Sequence, residues 1–210
     1  MGRLAAKYAT QTNGETGVRA LLGLAGVIVL AFSLALGVVD AAGAAEPHFT
    51  LSSSAFNDND MLPLKYAGGR LCANGGRGGD ISPPLSWTSP PAGTKSFAVL
   101  MIDPDGRRGI GSVHWVAYGI PATRNGLREG EGATQTADVT LGRNSRGTMG
   151  YTGPCGPPVD AAHHYVIDVI ALDLEPTTLQ AGLDRDQLLN LITGHSLGPA
   201  SIVVRYRSEQ

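Results

Sequence analysis

The sequence predicts a mainly β domain of the β-sandwich kind with a few short helices, and three observations support this fold class. Four apolar runs rich in β-branched residues have the length of strands and lie between Gly and Pro residues: "SFAVLMIDPD", "SVHWVAYGIP", "HHYVIDVIALD" and "ASIVVRYRS". The chain contains 29 Gly and 13 Pro, which is typical of a fold with long turns. Only one segment, late in the chain, has helical spacing, which argues against a doubly wound sheet of alternating strands and helices.

The first part of the domain contains shorter elements. Residues 48–53, "HFTLSS", alternate in polarity and predict a first strand. Residues 61–67, "MLPLKYA", predict a second short strand broken by Pro63. Residues 68–96 are nearly all loop, with Gly and Pro setting the turns.

The helical segment is "DRDQLLNLITGH", residues 184–195. Asp184 is a good N-cap residue, and Gly194 lies where a helix would end. His195 follows directly, and we expect its side chain to serve the helix C-terminus.

Composition and charge limit the classes of function that the chain can have. Of 210 residues, 42% are hydrophobic, which suits one globular domain with a substantial core. The formal net charge is −2, and the Lys and Arg residues are spread thinly. Because nucleic-acid binding needs a clustered basic face, we expect no nucleic-acid partner.

The first 45 residues differ from the rest of the chain. Arg3, Lys7 and Arg19 precede the uncharged apolar residues 20–39, and small residues follow at 42–44. This order is typical of a signal peptide, although roughly 20 apolar residues would also span a bilayer. We therefore expect residues 1–45 to be a signal peptide or an N-terminal membrane anchor. The domain would be residues 46–210, exported to the periplasm or secreted, with any membrane contact through that N-terminal segment.

The two cysteines, Cys72 and Cys155, both lie in Gly-rich loops. In an oxidising compartment two such cysteines more often pair than stay free, so we expect a disulfide. Two unpaired structural thiols are the alternative. A zinc site that uses both is poorly supported, because neither has a second cysteine at the usual short spacing.

Polar residues cluster at the ends of three predicted strands. Pro104 ends the first of these strands, so Asp103 and Asp105 lie at its C-terminal end. His114 begins the second strand, and a two-residue period places it on one face with Val116, Tyr118 and Ile120. If these two strands are neighbours, Asp103 and His114 come within hydrogen-bonding range.

The third strand begins with two histidines. His163 and Tyr165 share one face of this strand, so they can join Asp103 and His114 if the strand ends meet. His164 and Asp168 share the other face, and we expect them to form a structural pair. Trp87 and Trp115 are expected to pack in the core.

The residue types Asp, His and His leave three kinds of site open. They can line a pocket for a small anion, bind zinc through Asp103, His114 and His163, or supply acid and base groups to a hydrolase. No G-x-S-x-G motif is present. Ser112 is a poor nucleophile candidate in the predicted strand.

Five motifs together resemble one known family. "DISPPLSW", "PAGTKSFAVLMIDPD", "VHWVAYGIP", "GYTGPCGPP" and "HHYVIDVIALD" are similar, in order and spacing, to motifs of the phosphatidylethanolamine-binding proteins. This family includes the Raf kinase inhibitor proteins, and the similarity is greatest to its bacterial branch. It covers residues 49–206.

The resemblance implies a sandwich of two antiparallel sheets with a pocket at one end for a phosphate or another anionic group. The implied partner is a phosphate-bearing small molecule or a phospholipid headgroup, and the implied role is binding or inhibition of a kinase or protease, without catalysis or a cofactor. With the strand-end residue Asp105 added, the candidate ligand-binding residues are Asp103, Asp105, His114, Gly153, Pro154, Pro157, His163 and Tyr165.

Two departures from the family pattern concern the pocket mouth. His164 stands where the family usually has Arg, which removes a permanent positive charge. The segment after Asp105 continues as "GRRGIGS", so Arg107 and Arg108 are candidates to restore attraction for an anion.

Overall fold

The computed structural model describes residues 47–69, 72, 76–156 and 161–208. The predicted leader, residues 1–45, lies outside the described residues, as does the predicted site residue Pro157. The strands are β1 Thr50–Ser52, β2 Leu85–Thr88, β3 Ser96–Asp103, β4 Ser112–Pro121, β5 Gly126–Leu127, β6 Thr140–Leu141, β7 His163–Leu172 and β8 Ser196–Tyr206. The helices are α1 Gly106–Gly109 and α2 Arg185–Ile192, with 3-10 turns at Leu64–Tyr66 and Glu131–Ala133. Among these described helices, none has the length and apolar character to cross a bilayer.

The strands form two antiparallel sheets, which confirms the predicted fold class. The larger sheet has five strands in the order β6-β4-β3-β7-β8, and the smaller has three in the order β1-β2-β5. The four long apolar runs of the sequence are β3, β4, β7 and β8. All four belong to the larger sheet, with β3 at its centre.

The larger sheet is covered on both faces. One face packs against the smaller sheet, where the Trp87 and Phe97 rings lie 5.0 Å apart between centroids. The other face includes Leu100 and Val116 and packs against Leu188 of α2. Burial on both sides explains why β3 is an almost uninterrupted apolar run rather than an alternating one.

Helix α2 begins as the sequence predicts. The Asp184 carboxylate accepts a hydrogen bond from Gln187 N at 2.9 Å, and the Gln187 side chain accepts one from Asp184 N at 3.0 Å. This reciprocal pair satisfies two of the helix's N-terminal amides. The His195 ring, in contrast, pairs through Nδ1 with Asp173 at 2.8 Å; only its backbone N–H bonds to a helix carbonyl, that of Ile192.

The predicted strand at residues 61–67 is not formed. Met61 makes a single bridge to Arg205, and Leu64–Tyr66 is a 3-10 turn whose last amide bonds to the Pro63 carbonyl at 3.0 Å. Proline has no N–H and a fixed φ, so it starts a turn here instead of continuing a sheet ladder. The first strand lies within the predicted residues, at Thr50–Ser52.

A disulfide joins Cys72 and Cys155, as the sequence predicts, with the two Cα atoms 5.5 Å apart. It links positions 83 residues apart and therefore ties the long Gly-rich loop to the segment that precedes β7. Glycine is required at position 68 beside it, because a Cβ there would collide with both sulfur atoms.

Candidate functional site

The candidate site lies where three neighbouring strands meet at one edge of the larger sheet. Strand β3 pairs with β4 on one side and with β7 on the other, both antiparallel. The end of β3 therefore lies beside the beginnings of β4 and β7. This topology places Asp103, His114 and His163 at the same edge, although they are distant in sequence.

Asp103 is the central polar group of this edge. It is only 4% exposed, and its two carboxylate oxygens have different partners. Oδ2 accepts a hydrogen bond from Nδ1 of His163 at 2.9 Å, and Oδ1 accepts one from the Gly106 amide at 2.8 Å. The carboxylate thus orients the His163 ring and holds the turn after β3. Its histidine partner is His163, whereas the sequence suggested His114.

A β-bulge sets the direction of His114. Met101 pairs with Trp115 but Ile102 pairs with Val113, so His114 is an extra residue in β4. Its ring packs edge-on against Tyr165, with centroids 5.2 Å apart, on the face that meets the smaller sheet. The two-residue period predicted a face shared with Val116, Tyr118 and Ile120; Val116 and Tyr118 lie on the opposite face, whereas Ile120 belongs to the core between the two sheets. The prediction was wrong because a bulge interrupts that period.

Burial keeps the His114 ring neutral. Nδ1 lies 2.9 Å from the carbonyl oxygen of Thr152, and because a carbonyl only accepts, Nδ1 carries the hydrogen. Burial lowers the pKa of His114, outweighing the opposing effects of the Thr152 carbonyl and the Asp103 carboxylate. In this tautomer Nε2 keeps its lone pair, so it can accept a hydrogen bond.

Tyr165 packs against the rings of both His114 and His163. Its ring lies 5.2 Å from that of His114 and 6.5 Å from that of His163, between centroids. The residue is 1% exposed. Burial, and next the negative charge of Asp103, raise the pKa of Tyr165, so its hydroxyl stays protonated.

These side chains open into a cavity of about 330 Å³. Four of the predicted residues line it: Asp103, His114, His163 and Tyr165. Others complete the lining: Gly106, Arg107, Ser112, Val113, Ser145, Arg146, Cys155 and Gly156. The cavity is therefore lined both by residues that can accept hydrogen bonds and by two arginines.

Arg146 is the main residue that the sequence reasoning missed. It lies between β6 and β7, and its Nη2 is 2.8 Å from Sγ of Cys155. The only signal in the sequence was a basic residue in a Gly-containing segment just before "GYTGPCGPP". Of the two arginines predicted at the mouth, Arg107 lines the cavity and Arg108 does not.

Residues 151–156, which we call the tethered wall, form one side of the cavity. Cys155 and Gly156 line it, whereas the predicted residues Gly153 and Pro154 do not. The Gly153 amide donates to Asp80 Oδ1 at 3.0 Å, and the Pro154 carbonyl accepts from the Gly68 amide at 2.8 Å. Gly153 and Pro154 thus support the wall rather than face the cavity.

Asp105, a predicted site residue, does not line the cavity. Its Oδ2 accepts hydrogen bonds from the backbone N and the ring Nδ1 of His164, at 2.8 and 2.9 Å. These bonds lower the pKa of Asp105. The expected pair of His164 with Asp168 is not formed, because Asp168 bonds to Ser201.

Among the described residues, no group of three or more His, Cys, Asp or Glu side chains is arranged to hold a metal ion. Protein groups already bond to Nδ1 of His114, to Nδ1 of His163 and to both carboxylate oxygens of Asp103.

Comparisons with known proteins agree with the fold and with the motifs. A family model, "Phosphatidylethanolamine-binding protein", matches residues 52–207. The UPF0098 protein of Methanothermobacter thermautotrophicus is 36% identical over 159 residues, which is 75% of this chain and 97% of the relative. Escherichia coli YbhB is 36% identical over 159 residues, covering 74% of this chain and 98% of YbhB.

Two solved structures share the fold. The crystal structure of Escherichia coli YbcL, described as a new member of the mammalian PEBP family, has a TM-score of 0.71 and 30% identity, covering 78% of this chain and all of YbcL. The Chlamydia trachomatis homologue CT736 has a TM-score of 0.64 and 31% identity, covering 77% of this chain and 98% of CT736. On this family match and these relatives, the chain belongs to the phosphatidylethanolamine-binding protein family.

Proposed function

We propose that this protein is an exported, non-catalytic binding protein whose cavity takes a phosphate-type anionic group, either on a small molecule or on a phospholipid headgroup. The observation that carries the proposal is the convergence of two arginines, two histidines and one aspartate on a single cavity of about 330 Å³. A cavity of this size accommodates a phosphate group together with a small substituent.

The positive charge that would attract the anion comes from the arginines. Arg107 and Arg146 line the cavity, and a guanidinium group suits phosphate because it is always charged and offers several donors in a fixed fork. Ser112 and Ser145 add neutral hydroxyl donors. His114 does not contribute a charge, since burial holds it neutral.

His114 would contribute a hydrogen-bond acceptor to the ligand site. With Nδ1–H donating to Thr152, His114 offers only an acceptor from its other nitrogen. An O–H or N–H group on the ligand, on the phosphate or on its substituent, can donate a hydrogen bond to this acceptor.

Export is the second part of the proposal. The disulfide between Cys72 and Cys155 supports it, because such bonds persist mainly in oxidising compartments. Expression of the full chain in a bacterial host, followed by fractionation and mass mapping without reduction, tests it. We expect the disulfide-linked peptides in the periplasmic or secreted fraction; recovery of a reduced chain only in the cytoplasm would contradict export.

The binding part is tested by titration of the full chain with inorganic phosphate and with glycerophosphoethanolamine, observed through the histidine ring NMR signals. We expect the His114 and His163 signals to shift in a saturable manner, and Asp103→Asn and Arg146→Gln to weaken binding. His195→Ala is the matched control, because His195 pairs with Asp173 beyond the far end of β7. The proposal fails if neither compound moves the two ring signals.

The same cavity allows the hydrolase alternative to be separated from binding. Hydrolysis of a simple ester or phosphoester, lost in His114→Ala and unchanged in His195→Ala, would show that the site is catalytic. We expect no turnover above the rate of the His114→Ala variant. Any such difference would contradict the non-catalytic part of the proposal.

A further inference from the structure

Residues 106–111, which we call the basic loop, connect β3 to β4 at the mouth of the cavity. Within this loop Arg107 has φ 51° and ψ 39°, and Arg108 has φ 62° and ψ 42°. Both are left-handed conformations that side chains other than glycine and asparagine rarely adopt. Two successive residues in such conformations are uncommon, and backbone strain of this kind concentrates at functional sites.

The basic loop carries unusual surface chemistry at its tip. Ile110 is 77% exposed, whereas the next most exposed large apolar side chain of the described residues, Leu191, is 50% exposed. Ile110 lies between Gly109 and Gly111, and a Cβ added at Gly109 would meet nothing within 4 Å. The tip therefore stands clear of the domain.

Within the part of the chain that the structure describes, neither Arg107 nor Arg108 forms an ion pair. The nearby carboxylates are held by histidines, Asp103 by His163 and Asp105 by His164. The tip thus presents two cations beside one protruding apolar side chain.

We propose that the basic loop docks onto the surface of an anionic phospholipid bilayer, with Ile110 entering the interface and Arg107 and Arg108 facing the lipid phosphates. Arginine near an anionic surface and an apolar side chain at the headgroup boundary are the two contributions that hold peripheral proteins on membranes. Because Arg107 also lines the cavity, docking places the cavity mouth beside the headgroups. This last step rests on the proposed function and makes the ligand a phospholipid headgroup rather than a free phosphate.

The shape of the tip favours a bilayer over a protein partner. A stable protein interface buries about 800 Å² on each side around an apolar core. The basic loop instead offers one isolated apolar side chain between glycines, which a bilayer accepts at any point of its surface. An acidic protein or peptide is the competing occupant and serves as an arm of the test.

The experiment places a fluorescent reporter at the tip of the full chain. The two native tryptophans, Trp87 and Trp115, are 2% and 0% exposed, so they are shielded from a membrane quencher. Ile110→Trp adds an exposed reporter. Leu197→Trp is the matched control, because Leu197 is also exposed and lies in β8 near the opposite end of β7. Each variant is mixed with vesicles of phosphatidylcholine alone or of equal parts phosphatidylcholine and phosphatidylglycerol, with and without brominated acyl chains.

We expect Ile110→Trp emission to shift to the blue, and to be quenched by the brominated lipid, only with the anionic vesicles. Adding Arg107→Asn and Arg108→Asn removes both charges and keeps left-handed conformations accessible. At about fivefold per arginine near an anionic surface, the double change should weaken the vesicle affinity about 25-fold.

Four results would overturn the inference: no shift with either vesicle, an equal shift with both vesicles, an equal response of Leu197→Trp, or a shift produced by polyglutamate and not by vesicles. Phosphate titration of the Ile110→Trp chain without vesicles separates this failure from that of the proposed function. If phosphate still moves the His114 and His163 signals while the tip ignores vesicles, only membrane docking is rejected. If vesicles engage the tip but phosphate moves nothing, the headgroup step falls and docking stands.

Discussion

The tethered wall and the basic loop border the same cavity and are stabilised in opposite ways. The tethered wall is joined to the Gly-rich loop by the disulfide, and Asp80 bridges the two segments through the Gly69 and Gly153 amides at 2.8 and 3.0 Å. The basic loop has one carboxylate bond near its start, from the Gly106 amide to Asp103, and two left-handed arginines. One side of the cavity therefore keeps a fixed shape, and the other side presents charge.

The tethered wall and the basic loop suit different tasks for physical reasons. A covalent bond and buried hydrogen bonds give a surface that keeps its form when a ligand enters. A protruding loop with charged and apolar tips can meet a partner outside the protein, at the expense of backbone strain.

Removing the disulfide should have the largest effect on stability. We expect Cys72→Ala with Cys155→Ala to lower the free energy of unfolding by about 2–5 kcal/mol, because the bond restrains the unfolded chain across 83 residues. Chemical denaturation of the wild-type chain with and without a reductant, beside the double variant, measures this. If the variant and the oxidised chain unfold at the same denaturant concentration, the wall is not held by the disulfide.

Asp80→Asn should have the next largest effect. The Asp80 carboxylate accepts from both Gly69 and Gly153, and an amide has only one acceptor oxygen, so one backbone N–H would lose its partner. We expect a loss of about 1–3 kcal/mol in the free energy of unfolding. Asp138→Asn, at an exposed position, is the control and should change stability little. Equal effects of the two substitutions would argue against Asp80 as the bridge.

The pH dependence of stability should report on the buried ring of His114, which bonds to the tethered wall through Thr152. Because its folded pKa is lowered, the unfolded chain binds more protons between the two pKa values. This contribution to stability is therefore complete above about pH 6.5 and decreases as the pH falls, by at most about 1.4 kcal/mol per pH unit. Denaturation curves recorded at a series of pH values below about 6.5 should show the free energy of unfolding decrease with pH. His114→Phe should make this decrease smaller. An unchanged slope in His114→Phe would place the titrating group elsewhere.

Substitutions in the basic loop should have the smallest effect on stability, and in the opposite direction. Arg107→Gly with Arg108→Gly removes the left-handed strain but adds freedom to the unfolded chain, so we expect a gain of no more than about 1 kcal/mol per residue. The melting temperature measures it, with Arg128→Gly, at an exposed position outside the basic loop, as the control. A loss of stability in the double variant would mean that the loop is not strained.

Much of the site was predictable because it depends on local alternation. Asp103 could be placed at a strand end from Pro104, and the shared face of His163 and Tyr165 follows from the two-residue period. All three residues line the cavity. The face of His114 was not predictable in this way, because the bulge in β4 depends on how that strand pairs with β3.

The partners of the polar groups were decided by long-range packing. Asp103 pairs with His163, Asp105 pairs with His164, and Arg146 enters the cavity from a loop that carried no distinctive motif. Each of these contacts joins segments that only the assembled sheet brings together.

Apolar runs, turn residues and strand periodicity act within a few residues of chain. They were therefore enough to predict the fold class, the two cysteines available to pair and the strand ends that carry the polar residues. Long-range packing instead sets which imidazole meets the carboxylate, which arginines line the cavity and which side of the cavity is held rigid. The reason is that hydrogen bonds and strand register join residues far apart in sequence, and their geometry exists only after the two sheets have packed.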